Sequence, residues 1–303
     1  MTKMKWLVVA CAAACAWGCG QFVEYGDGAP GPVDATPLGG GEVEVGELTE
    51  LNHYAWAGLV ASFTSEQGGD VLVDYMAWSQ DDEAIAEIDR YLGVLAAVDA
   101  SDLSSPEQRQ AYWINAYNAA TVRGVLADFG GDADGYSVIT SGVFFDTPRY
   151  TFGGVTMTLN QVEQGVMRGD LEDASVVGAP EETRAAIARW AGEIWGPGGL
   201  DARFHAAVNC AALGCPNLWA RPPYAWRAEG IDAQLEEATR AWLASPTKGA
   251  GPAGISNLFE WYASDFEVDA GGVEAFIAEH REGGTAGVDL GTIITYDWTL
   301  NAP

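Results

Sequence analysis

Ser105-Pro-Glu-Gln-Arg-Gln-Ala-Tyr112-Trp-Ile-Asn115-Ala-Tyr117-Asn118-Ala119 is the stretch on which the fold class turns. Serine followed by proline is a helix start, because proline's fixed φ suits the first helical position and its missing N–H would be unpaired there anyway. The pattern predicts one long helix from Pro106 to about Phe129. Asn115 and Asn118 lie three apart, near one face, and Trp113 and Tyr117 lie four apart as core packing. Asparagine is a mediocre helix former. Two of them on one long helix imply that their amides are needed for hydrogen bonds. Either they tie the helix to loop backbone, or they orient a reacting group or donate to an oxyanion.

Working outward, Asn52 to Phe63 reads as helical. Asp81 to Val98 carries Ile85, Ile88, Leu92 and Leu95 at helical spacing. Phe144 to Met157 holds two alternating runs about Gly153-Gly154, a hairpin signal. Helices are expected at Asn160–Arg168, Ile231–Leu243, around Trp261-Tyr262, and at Val273–Glu282. Arg203–Asn209 is a short apolar strand or buried helix that periodicity does not separate. Gly254–Asn257 and the β-branched, aromatic run Thr292–Trp298 read as strands. Helices with local β pieces and no βαβ rhythm imply an α+β fold, mostly helical, in one domain with a small antiparallel hairpin.

Upstream of that domain the chain changes character. Lys3 and Lys5 precede an apolar run from Trp6 to Trp17, too short to span a bilayer but suited to a secretory signal. Ala16-Trp-Gly-Cys19 follows as a lipobox-like end, with Cys15 as a second candidate. The expected layout is a signal peptide over 1–18, then a Gly/Pro/acidic tether over 19–46 lipidated on Cys19, and a globular domain over 47–303. That layout implies an exported lipoprotein held to a membrane by its lipid, in the outer membrane, the periplasm or at the cell surface.

The 303 residues carry 15 basic and 43 acidic side chains, a net charge of −28. Phosphate backbones are repelled by such a chain, so a nucleic-acid partner is not expected. A small-molecule or peptide ligand stays open. P-loop, Rossmann glycine, HExxH and GxSxG strings are missing, so no cofactor is implied.

Five strings resemble, in order, those of the domain of unknown function 547 family. They are Tyr112–Asn118, the Leu159–Arg168 helix with Glu163, the segment Asp201–Pro216, Trp261-Tyr-Ala-Ser-Asp265-Phe, and Tyr296-Asp-Trp-Thr-Leu-Asn301. Together they reach from about Val73 to Asn301. The resemblance implies a bacterial secreted protein or lipoprotein and brings no established activity. Plant relatives keep a cysteine like Cys210 but place serine where Cys215 stands.

Within these strings lie the residues suited to chemistry. Cys210 and Cys215 are the two cysteines beyond the signal, and His205 stands five residues before Cys210. A thiol beside an imidazole is the minimal nucleophile–base pair, and a third group usually orients the ring. Asn118, Glu163 and Asp265 are the candidates for that role. Contact between His205 and Cys210 needs a turn after Asn209, which Ala-Ala-Leu-Gly can supply. Three readings stand. One is a cysteine hydrolase or an acyl or thiol transferase using Cys210 and His205. The second is a structural Cys210–Cys215 disulfide favoured by export. The third is a zinc site lacking a fourth ligand. A redox-active pair is a further variant, although the spacing is C-x4-C. Glu163 and Arg168 read as a charge pair. His53 and His280 read as surface residues.

Overall fold

A computed structural model describes residues 53–98, 103–132 and 135–303. The signal peptide, Cys19, the tether and the domain start at Glu47 lie outside the described residues, as does the first residue of the expected Asn52 helix.

Helix α1 (Tyr54–Phe63) leads into the hairpin β1 (Thr64–Gln67) and β2 (Asp70–Val73). Short α2 (Tyr75–Ser79) and amphipathic α3 (Asp82–Ala97) follow. Helix α4 (Pro106–Asp128) is the axis of the molecule. Its start is a capping box: Ser105 Oγ accepts from the Gln108 amide at 3.3 Å, and Gln108 Oε1 accepts from the Ser105 amide at 3.2 Å. From Ala111 to Leu126 it is buried on every side apart from Arg123, as befits a helix with packed neighbours all round. Gly124 permits this, because a Cβ there would collide with the Tyr150 hydroxyl and the Phe144 ring.

The hairpin β3 (Tyr150–Phe152) and β4 (Val155–Met157) turns on Gly153 and Gly154, whose φ values of 54° and 78° make the tight two-residue connection possible. Next comes a helical turn over Gln161–Met167, then α5 (Ala174–Val177) and α6 (Glu181–Ala191). A 3₁₀ helix occupies Ala202–Ala206. Helix α7 (Ile231–Ala244), the two-residue pairing of β5 (Ala250–Gly251) with β6 (Gly254–Ile255), and α8 (Leu258–Trp261), α9 (Ala263–Ala270) and α10 (Val273–His280) complete the elements. The architecture is α+β, mainly helical, with three two-stranded antiparallel sheets among the described residues.

Two apolar clusters result. The larger surrounds α4; the smaller gathers α7 to α10 around Trp242, Phe259, Phe266 and Phe276. The 3₁₀ helix contributes Phe204 to the first and Ala202 and Ala206 to the second, so His205 lies where they meet. No helix of the described residues is long and apolar enough to cross a membrane.

Several local expectations need correction. Thr292–Trp298 is not a strand. It is an extended strap that makes single bridges, Ile293 to Ile255 and Leu300 to Ala212. Its backbone bonds go to one residue of β6, Ile255 N to Thr292 O at 2.9 Å and Ile294 N to Ile255 O at 2.8 Å, and then to the cysteine loop, Gly214 N to Asp297 O at 2.8 Å and Leu213 N to Thr299 O at 2.8 Å. Strand character in Gly254–Asn257 is confined to its first two residues. Of the two readings of Arg203–Asn209 the buried helix holds as far as Ala206, wound as 3₁₀ rather than α, and the strand does not. His53 and His280 are buried, bonded at 2.7 Å to Tyr91 Oη and at 2.8 Å to Glu236 Oε2.

Candidate functional site

The loop after the 3₁₀ helix is shaped by amides. Asn118 of α4 donates from Nδ2 to Ala207 O at 2.9 Å and accepts from Asn209 N at 2.8 Å. Asn209 in turn donates to Pro216 O at 2.7 Å and accepts from the Ala211 amide at 2.9 Å. Asn115 does the same for another loop, exchanging two bonds with Trp226 at 2.8 and 3.0 Å. Both asparagines therefore tie α4 to loop backbone. Ala211 is held at φ 65°, a left-handed conformation that costs an L-residue roughly 1–2 kcal/mol.

That folded-back loop puts Cys210 Sγ 2.7 Å from Cys215 Sγ, both held as thiols and both buried. The Cys210 amide donates to Cys215 Sγ at 3.0 Å, and the Tyr296 hydroxyl stands 3.0 Å from Cys210 Sγ. Burial by itself would raise the Cys215 thiol. Hydrogen bonds from the Cys210 thiol, the Tyr296 hydroxyl and the Cys210 amide outweigh it and hold Cys215 below the ordinary thiol range, against an opposing push from the Glu163 carboxylate.

Across from the sulfurs, His205 is stacked on Tyr262 at 4.3 Å between ring centres and touches Phe204 and Phe266. Its Nε2 is 2.9 Å from Asp265 Oδ2. Arg168 grips the same carboxylate with two bonds, 2.7 and 2.9 Å long. Burial pushes the Asp265 carboxyl up, but the bonds and charges of His205 and Arg168 hold it well below the usual carboxylate range. An ionised carboxylate only accepts, so Nε2 carries the proton and, in the neutral ring, Nδ1 carries the lone pair. Among the described residues Nδ1 makes no hydrogen bond.

Glu163 does something else. Its carboxylate accepts from Tyr117 Oη at 2.6 Å and from the Tyr262 hydroxyl. The expected Glu163–Arg168 pair is replaced by Arg168–Asp265. Gln161–Met167 is a π-helix closed by bonds such as Arg168 N to Glu163 O at 3.0 Å, which returns residues five apart to nearly one side. Glu163 and Arg168 therefore both face Tyr262, but the two tyrosine hydroxyls occupy the Glu163 carboxylate and Arg168 reaches past the ring to Asp265. The Arg168 guanidinium lies 4.9 Å from the Tyr262 ring centre.

Tyr117, Glu163, His205, Val208, Cys210, Cys215, Leu258, Tyr262 and Tyr296 together line a cavity of about 10 Å³, room for a single water. Of the residues expected from sequence, Cys210, Cys215, His205 and Glu163 meet there. Asp265 stands one bond behind His205, while Asn118 holds the loop without lining the space. Among the described residues no three His, Cys, Asp or Glu side chains converge as metal ligands. Tyr117, Tyr262 and Tyr296 escaped the sequence reading. All three sit inside the strings quoted above, where aromatic residues read as core.

Residues 100–243 match the family model described as "Protein of unknown function, DUF547". Over these residues the chain is similar to the DUF547 family. Comparison with curated proteins and with solved structures returned no match. The DUF547 match runs from the approach to α4 into α7, so it includes Tyr117, Glu163, His205 and both site cysteines. Tyr262, Asp265 and Tyr296 lie beyond it and are brought to the site by the fold.

Proposed function

We propose that this protein is a thiol-dependent transferase or hydrolase of the cell envelope, with the cysteine pair as the sulfur source and His205 as the base. The observation that carries it is the convergence on one cavity of two thiols and an imidazole whose far nitrogen is bonded to a carboxylate. A nucleophile, a base and a group orienting the base are the parts a cysteine enzyme needs. Asp265 fills the orienting role, and Asn118 and Glu163 do not. The signal-like N-terminus and Cys19 support export and lipid anchoring, which put the domain where extracytoplasmic substrates are found.

A second reading is a non-catalytic binding or structural domain held by a Cys210–Cys215 disulfide. The 2.7 Å approach of the sulfurs favours it. Site-resolved alkylation separates the two. The full chain, purified without reductant, is treated with iodoacetamide over pH 5–9, and labelling at residues 210 and 215 is read by peptide mass. Native labelling below pH 7 that slows about tenfold or more in His205→Ala supports the enzyme. Sulfurs that label only after reduction and unfolding establish the disulfide and end the enzyme reading.

A further inference from the structure

Resting on the thiol reading above, we infer that the chemistry is thiol–disulfide exchange, with Cys215 as the attacking sulfur and Cys210 as the resolving one.

The assignment follows from who donates to whom. Cys215 Sγ receives the Cys210 backbone N–H at 3.0 Å and lies 2.7 Å from the Cys210 thiol. Those bonds favour negative charge on Cys215, and the thiolate is the nucleophile. The Cys210 sulfur has the Tyr296 hydroxyl at 3.0 Å. The same bonds argue against an acyl substrate. The amide nearest the sulfur is committed to the thiolate and is not aimed at a developing oxyanion. A disulfide asks less of the site, needing access to one sulfur and a second thiol in reach.

The Cys215 thiolate attacks one sulfur of a substrate disulfide; the Cys215–substrate S–S bond forms, the substrate S–S bond breaks, and the first substrate thiolate leaves. Cys210 then gives its proton to the base across the cavity, His205, and its thiolate attacks Cys215 Sγ. The Cys210–Cys215 bond forms and the second substrate thiolate leaves. Two electrons pass from the protein dithiol to the substrate disulfide, with no other reactant. Read backwards, the same steps oxidise a substrate dithiol. Because the two sulfurs are already in contact, any adduct on Cys215 faces a neighbouring thiol at high effective concentration and is resolved at once.

The test mixes the reduced full chain with 2-hydroxyethyl disulfide and, separately, with a small acyl thioester, and reads residues 210 and 215 by peptide mass. Wild type should go to the internal disulfide with no persistent adduct. Cys210→Ser should hold a persistent hydroxyethyl adduct on residue 215, and Cys215→Ser should form adduct about tenfold more slowly or worse. Cys210→Ala and Cys215→Ala, checked by circular dichroism, guard against a serine-specific folding defect. A persistent adduct on Cys210 in Cys215→Ser, at the wild-type rate, overturns the assignment. Acylation of either sulfur without disulfide exchange overturns the exchange chemistry and leaves the thiol reading standing. Sulfurs inert to both probes until unfolding overturn both.

Discussion

Asp265 carries two obligations at once, since Arg168 and His205 both depend on its carboxylate. Asp265→Asn removes the charge and leaves the mostly buried Arg168 guanidinium with the partly exposed Asp170 carboxylate, 3.9 Å away, as its remaining ion pair among the described residues. Loss of one partner of a buried pair costs about 3–5 kcal/mol, which urea denaturation should show. The pH sign is fixed by the depressed Asp265 carboxyl. Its contribution is complete above the unfolded aspartate value and is lost as the pH falls toward the folded one. His53 acts in the same direction by another route. Burial, helped by the Arg227 charge, lowers it to about 3, so between that value and 6.5 the unfolded chain binds a proton the folded chain refuses. Stability should therefore rise with pH across that window, by up to ~5 kcal/mol from this residue. His53→Asn, which tolerates the left-handed φ of 55° and does not titrate, should flatten the slope in a series of denaturation curves.

At the scale of elements, the π-helix is the part whose replacement tells most. Gly165 lies within it, and a Cβ there would stand 2.7 Å from Ile187 Cγ2 of α6 and 2.8 Å from Val176 Cγ2 of α5. Gly165→Ala should cost about 1–3 kcal/mol by overpacking, measured as a shift in urea midpoint. Asn118→Ala should cost a similar ~1–3 kcal/mol, because Ala207 O and Asn209 N lose buried partners. Its effect on thiol labelling should follow unfolding rather than show a new pH profile. Long elements were legible because their signals are local. The 106–129 expectation matches α4 within one residue, and Asp81–Val98 brackets α3. The Gly153-Gly154 hairpin was equally plain. Helix α6 and the β1–β2 hairpin escaped that reading, and the strap resembled a strand because its β-branched and aromatic residues suit one, although it pairs with β6 at Ile255 alone before crossing to the cysteine loop. At the site, cysteine and histidine were visible from rarity alone. The π-winding of Gln161–Met167 depends on hydrogen-bond register, which residue types do not encode separately from an α-helix.

On the scale of the molecule, the site is assembled from five distant stretches: α4, the π-helix, the 201–216 segment, the α8–α9 junction and the strap. Gly214 is where two of them touch, since a Cβ there would lie 2.7 Å from Asp297 N. Gly214→Leu should lift the strap from the cysteine loop and raise the native alkylation rate of Cys210 about tenfold, with the helical circular dichroism signal retained. The strap has a temporal meaning as well. Tyr296 is synthesised 86 residues after Cys210. During synthesis the two sulfurs therefore emerge before the hydroxyl that belongs beside them has been made. Any bond formed between the pair in that interval forms without the strap in place.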